Sequence, residues 1–322
     1  MAALAFTTPF PLQNLSSFYH MKNSNTFETI IIGGSYSGLS AAMTLGRSMR
    51  HVLVIDSGLP CNRQTPYSHN FLTQDGVKPQ EIASLAKSQV LQYPSVSFLE
   101  DLALEGHKSE GLFHIRTQSG QEFSAPKLVF ATGVTDLMPE IEGFADCWGI
   151  SVVHCPYCHG YEIRHKKTGI MANGEKALHL APMARNLTDK LSILTSGKAD
   201  FNAEELAKLQ QNNIRIIEKE VSAIEHSKGY LSHIVFSDGS KEAFDATYAA
   251  IPFSQHCDIP EKLGCELNDQ GYLQVDMMHK TTVDGIFACG DNTTRMRSVA
   301  NAVASGNMVG AVINMELSNA QF

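Results

Sequence analysis

The chain has 322 residues, 43% of them hydrophobic, enough for about two packed domains. A net charge of −8 without a basic run excludes nucleic acid as the main partner, and no stretch reaches the roughly 18–20 apolar residues of a membrane span. Seven cysteines, an odd number, do not make a secreted disulfide framework; they fit a reducing cytoplasm with one working pair.

Met1 to His20 contains no Lys or Arg, so no signal peptide is read there. Residues 1–24 are expected to be a disordered extension, with Met21 as an alternative start. Residues 28–34 then read as a buried parallel strand running into a glycine turn, Gly33-Gly34-Ser35-Tyr36-Ser37-Gly38. Ser37 to Arg50 reads as a helix, and His51 to Asp56 as a second buried strand ending in an acid. This order of strand, glycine turn, helix, strand and acid is the dinucleotide fingerprint. Gly33 permits the tight turn, Ser35 stands at the second glycine of the motif, and Gly38 allows close helix–strand packing. The amides of Gly34, Ser35 and Ser37 lie where a helix N-terminus meets a pyrophosphate, and Asp56 is the acid of the fingerprint.

A helix is expected over Pro79 to Tyr93, and strands over Val96–Leu99, Leu112–Thr117 and Glu122–Phe123. Lys127 to Phe130 leads into Ala131-Thr132-Gly133. Cys155-Pro156-Tyr157-Cys158-His159 follows, a pair whose spacing allows a small disulfide ring and a reactive thiolate ahead of a helical turn. His159, beside the pair, is the natural proton acceptor because imidazole titrates near neutrality. The pair also matches half a zinc site or a haem-attachment motif. No second Cys-x-x-Cys or His-x3–5-His supports zinc, so no metal is expected, and haem attachment would demand export.

Beyond the pair, strands are expected at Thr168–Ala172, Leu191–Thr195, Ile214–Ile217 and Leu231–Phe236. A helix between the first two carries Leu178, Leu180, Met183 and Leu187. Gly285 to Asp291 and a small-residue helix from Ser298 to about Leu317 close the chain. The 28–56 and 168–195 units are weakly similar. The fold class is therefore α/β, with two Rossmann-like dinucleotide-binding domains. The remaining cysteines, Cys61, Cys147, Cys257, Cys265 and Cys289, read as buried hydrophobes. Trp148 reads as a packing residue, His154 as structural, and His69 as either a loop residue or one that reaches the dithiol.

With these residues in place, the chain resembles the low-molecular-weight thioredoxin reductase family across about 28 to 314. The resemblance implies an FAD domain split into 25–140 and 271–322, and an inserted NAD(P)-type domain, 141–270, that carries the dithiol. It implies that Cys158 lies against the flavin and that Cys155 exchanges with substrate. It further implies that Gly290 and Asp291 contact FAD, with Arg297, Ser298, Val299 and Ala300 beside the isoalloxazine, and that the protein is a homodimer. Two details, His159 after the second cysteine and the loop 62–76, look similar to the FAD-dependent dithiol oxidases of gliotoxin and holomycin type. That subgroup implies oxygen as acceptor and no nicotinamide.

The second glycine turn points the same way. It reads Ala172-Asn173-Gly174-Glu175-Lys176-Ala177, and the following strand ends in Thr195-Ser196-Gly197-Lys198 without the arginine pair that holds a 2′-phosphate. NADPH is accordingly expected to bind poorly or not at all. A dithiol oxidase for a small molecule or peptide is the leading reading. A thioredoxin-reductase-like reductase serving a thioredoxin-like protein is the second. A flavin-binding redox sensor with negligible turnover is the third.

Overall fold

The computed structural model describes residues 25–322, so the extension expected over 1–24 lies outside the described residues. The chain opens with β1 (Thr29–Ile32), α1 (Tyr36–Arg47), β2 (Val52–Asp56), α2 (Pro79–Val90) and β3 (Val96–Glu100). An antiparallel meander follows, β4 (Ala103–Ser109), β5 (Leu112–Thr117) and β6 (Glu122–Ala125), before β7 (Lys127–Phe130) and β8 (Val134–Asp136). The middle of the chain holds α3 (Phe144–Cys147), β9 (Val152–Val153), α4 (Pro156–His159), β10 (Thr168–Met171), α5 (Gly174–Arg185), β11 (Leu191–Leu194), α6 (Ala203–Gln211) and β12 (Arg215–Ile217). A second meander, β13 (Val221–Ser227), β14 (Tyr230–Phe236) and β15 (Lys241–Ala243), precedes β16 (Ala246–Ala249) and β17 (Phe253–Gln255). The chain ends with α7 (Ile259–Lys262), β18 (Ile286–Ala288) and α8 (Val299–Gln321).

Two five-stranded parallel sheets organise these elements, β18-β7-β1-β2-β3 and β12-β11-β10-β16-β9. Strand β1 is buried at every position and β16 likewise, as expected for strands covered on both faces. Read from the β3 and β12 edges, the two orders correspond strand for strand through four members, β3-β2-β1-β7 and β12-β11-β10-β16. These are the two dinucleotide folds read from the 28–56 and 168–195 units. Strand β18 pairs with β7 although the whole second sheet lies between them in sequence. The first sheet is thus completed only by the C-terminal residues.

The chain crosses between the sheets through an antiparallel ribbon, β8 with β17, in register Phe253 to Asp136. Ile259 and Cys265 already pack in the core of the first sheet with Ile30, Phe113 and Leu128, although they precede position 271. The second core gathers Phe144, Trp148, Ile224 and Phe236 on one face, and Ile170, Ile193 and Tyr248 on the other.

Helix α8 lies directly on α1. A Cβ on Gly306 would stand 2.0 Å from the Ser37 carbonyl oxygen, and one on Gly310 would stand 2.6 Å from Thr44 Cβ. Backbone contact this close requires glycine, and it lets the Ser40 hydroxyl donate to the Val303 carbonyl at 2.7 Å. The consequence is positional: α8 begins beside the glycine turn at the start of α1.

Candidate active site

The C-terminal ends of β1, β7 and β18 converge on one edge of the first sheet. Gly33, at φ +104°, puts its Cα so near β7 that a Cβ would lie 2.2 Å from the Ala131 carbonyl. Ser37 donates to the Cys289 carbonyl at 3.4 Å, and the Gly290 amide donates to Ser305 at 3.1 Å. Asp56 takes the Gly34 amide at 2.8 Å and so braces the turn. Buried Asn292 donates to the Phe130 carbonyl at 2.8 Å and fixes the Asp291 segment against β7. Gly33, Gly34, Ser35, Ser37, Gly38, Asp56, Ala131, Thr132, Gly133, Gly290 and Asp291, though spread over the chain, therefore gather at the C-terminal ends of β1, β2, β7 and β18.

These residues fit FAD. Helices α5, α6 and α8 close their own N-termini with Asn173, Asn202 and Ser298, whereas Ser35 makes no side-chain cap on α1 and its first turn holds no acid. Uncapped amides at the positive end of a helix dipole suit a pyrophosphate. Ser35, Ser37 and their neighbours would hold it, with Asp291 and the 297–300 segment at the redox end.

Cys155 and Cys158 are joined as a disulfide, with Cα atoms 5.3 Å apart. Cys155 is the N-cap of α4, and Pro156 opens the helix, so the pair is presented by a rigid turn. The Cys158 amide lies 3.2 Å from Cys155 Sγ. Cys158 Sγ approaches the carbonyl oxygen of Arg297 at 4.0 Å. The second cysteine is thereby seated on the segment that leads into α8, and Tyr157 between the cysteines is 69% exposed rather than packed.

One network was not legible in the sequence. Arg297 reaches Asp136 through two bonds of 2.7 and 3.1 Å, across 161 residues, and its Nε lies 3.4 Å from Asp291 Oδ2. Trp148 Nε1 donates to the same Asp136 carboxylate at 3.2 Å. Trp148 thus packs in the second core, as read, and also carries a polar bond. Burial raises the Asp291 carboxyl above its ordinary value, and Arg297 opposes that rise. Cys61 corrects the expectation that all spare cysteines are buried: it is exposed, with Sγ 4.0 Å from Asp291 Oδ2, and Cys257 is only half-buried.

His159 also departs from its expected role. Burial, reinforced by nearby His69, pushes its imidazole down to about 4, so it does not titrate near neutrality. His154, tilted against Trp148 with ring centres 5.9 Å apart, is pushed down to about 4 chiefly by burial, with Arg297 and His159 adding to it. His69 stands 3.6 Å from Asp75 and 3.7 Å from Glu162, so its ring joins the 68–76 loop to the segment after α4. Well above pH 6.5 neither His154 nor His159 binds a proton in either state. As pH falls from there towards 4 the unfolded chain takes protons that the folded chain refuses, so stability is progressively lost. His159→Gln is expected to lose about 1–2 kcal/mol less stability than wild type between about pH 7 and pH 5, measured by urea denaturation. Equal losses in the two proteins would mean that His159 stays protonatable when folded.

The second glycine turn differs from the first. Gly174 opens α5 at φ +53°, and a Cβ there would stand 3.3 Å from Asp200 Oδ2. Asn173 Oδ1 accepts from the Gly174 and Asp200 amides, both at 2.9 Å, and its Nδ2 donates to the Lys198 carbonyl at 2.9 Å. The loop after β11 is laced over the helix N-terminus by Asn173, with Asp200 and Glu175 adding negative charge.

Comparison with known proteins agrees with this architecture. A family model described as pyridine nucleotide-disulphide oxidoreductase matches residues 27–306. The thioredoxin reductase tcpT of Claviceps purpurea is 33% identical over 311 residues, covering 92% of this chain and 96% of that protein. An oxidoreductase structure from Agrobacterium tumefaciens is 37% identical with a TM-score of 0.86, covering 91% of this chain and 99% of that one. A putative thioredoxin reductase TrxB from Bacillus anthracis is 29% identical with a TM-score of 0.87, covering 92% and 100%.

Proposed function

The chain belongs to the pyridine nucleotide-disulphide oxidoreductase family, and from that premise we propose that it is an FAD-dependent oxidase closing a disulfide in a small-molecule or peptide dithiol, with oxygen as acceptor. The observation that carries this choice within the family is the second glycine turn, laced shut by Asn173 and faced by Asp200 and Glu175. A nicotinamide dinucleotide needs its pyrophosphate there, and the site offers carboxylates instead of arginines.

The chemistry follows from the dithiol. A substrate thiolate attacks Cys155 Sγ, breaking the Cys155–Cys158 bond and forming a mixed disulfide at Cys155. The second substrate thiol attacks that bond, releases the oxidised substrate and leaves both cysteines reduced. His159, held down to about 4 by burial, is too weak a base to keep a thiol proton, so the protons released in these steps leave to water. Bound FAD supplies the two-electron acceptor that returns the pair to its disulfide form. The net reaction converts one dithiol and one dioxygen into one disulfide and one hydrogen peroxide.

A thioredoxin-reductase-like reductase is the second reading, favoured by the names of the relatives, and it would serve a thioredoxin-like protein. Five cysteines outside the pair support a reducing, cytoplasmic setting, and the homodimer implied by the resemblance remains part of the proposal. No helix among the described residues is long and apolar enough to cross a membrane. The test is an anaerobic titration of the purified yellow protein with dithiothreitol, followed by air. Loss of the visible flavin band with dithiol alone, restored by air with stoichiometric peroxide, is the expected result. A band untouched by dithiol overturns the oxidase.

A further inference from the structure

Arg297 bonds to three separate parts of the molecule. Its guanidinium takes Asp136, on the ribbon strand β8 through which the chain enters the second sheet. Through Asp136 it is joined to Trp148 in the second core, and directly to Asp291 beside the first sheet. Its own carbonyl oxygen seats Cys158 Sγ. The Asp136 side chain is 8% exposed and that of Arg297 13%, so the pair is nearly shut off from water. A pair so placed resists separation far more than a surface ion pair, because parting strands an unpaired buried charge. The same two halves also approach each other where His69 lies 3.7 Å from Glu162.

We propose that Arg297 and Asp136 are positioning residues that lock the dithiol helix α4 onto the start of α8, shielding Cys158 from external reagents and leaving Cys155 as the sulfur open to exchange. This rests on the dithiol reading above and adds the residues that hold the two sulfurs in their separate places. Rotating the second sheet about the β8–β17 ribbon would pull Trp148 off Asp136, or Asp136 off Arg297. Either break leaves a buried polar group without its partner. The lock therefore keeps the sulfur of Cys158 against the Arg297 carbonyl through the whole cycle, while substrate reaches Cys155 by diffusion.

The lock can be tested on the FAD-loaded enzyme, reduced anaerobically with a phosphine and exposed to iodoacetamide, with each cysteine followed by peptide mass mapping. In wild type, Cys155 is expected to alkylate at least about tenfold faster than Cys158. Asp136→Asn, which keeps the shape but loses the charge, should speed Cys158 alkylation by about tenfold or more. Buried Cys265 and Cys289 serve as internal controls and should stay unreactive. Trp148→Phe preserves the ion pair and the ring packing, and a smaller gain of about threefold is expected. Fast alkylation of Cys158 in wild type would overturn the lock. So would an acceleration in Asp136→Asn that is absent, or one shared by Cys265 and Cys289, since the latter marks general loosening. If NADPH proves to reduce the enzyme, the oxidase reading fails while this alkylation pattern stands or falls separately.

Discussion

Cys158→Ser is expected to lower dithiol-driven turnover by about a thousandfold or more, with the fold and the yellow colour intact. The reason is geometric and chemical together. Cys158 is the cysteine seated at 4.0 Å on the Arg297 carbonyl, so it is the member of the pair next to the segment proposed to lie beside the cofactor. Serine oxygen cannot form the disulfide, so the pair has no oxidised state to offer a substrate thiol. Cys155 remains free to attack a disulfide, and Cys158→Ser should therefore hold an aromatic disulfide probe as a stable mixed disulfide at Cys155. Cys155→Ser should be equally inactive but should not form that adduct, since the remaining sulfur is the seated one. The two variants are compared by stopped-flow absorbance of the flavin and by intact mass. Full turnover in either would remove the dithiol from the mechanism, and equal adduct formation in both would erase the distinction between the sulfurs.

NADPH should bind the wild-type protein more weakly than about 1 mM and should bleach the flavin at least about a hundredfold more slowly than a dithiol does. At an effective dielectric of about 20, two like charges about 5 Å apart repel by about 3 kcal/mol, which is more than a hundredfold in affinity. Glu175 lies in the first turn of α5, and Asp200 faces Gly174, so a pyrophosphate at that helix end would meet two carboxylates. Asn173 already satisfies the Gly174 amide, removing a donor that the nucleotide would use. The double substitution Glu175→Gln with Asp200→Asn should tighten NADPH by about tenfold or more, because it removes both charges while keeping size. Binding is read by isothermal titration under anaerobic conditions. Micromolar binding to the wild type would return the protein to the reductases, and an unaffected double variant would mean that the nucleotide is excluded by shape and not by charge.

The parallel strands were legible because burial on both faces leaves continuous apolar runs, as in Thr29–Ile32 and Leu191–Leu194. Strand β4, with sequence ALEGHKS, was not read because it is polar and exposed, and only its pairing with β5 makes it a strand. Helix α6 carried a signal that went unread, the capping box of Asn202 and Glu205. Helix α1 stops at Arg47, short of the expected Arg50, because Met49 turns left-handed at φ +58°.

The glycine turn, the Cys155–Cys158 pair, the altered second turn and the family resemblance all lie in short stretches whose local chemistry is complete in itself, and the sequence alone determined them. Tertiary structure decided three other matters. It joined Asp136, Trp148 and Arg297, which share no local pattern and meet only because the ribbon and α8 converge. It lowered His159 by burying it, where the isolated residue reads as a neutral-pH base. It also showed Asn173 fastening the loop after β11 over α5, so that a turn merely lacking arginines became a turn already tied shut. The physical reason is common to all three: burial and long-range pairing depend on what the rest of the chain brings alongside, and no window of neighbouring residues carries that information.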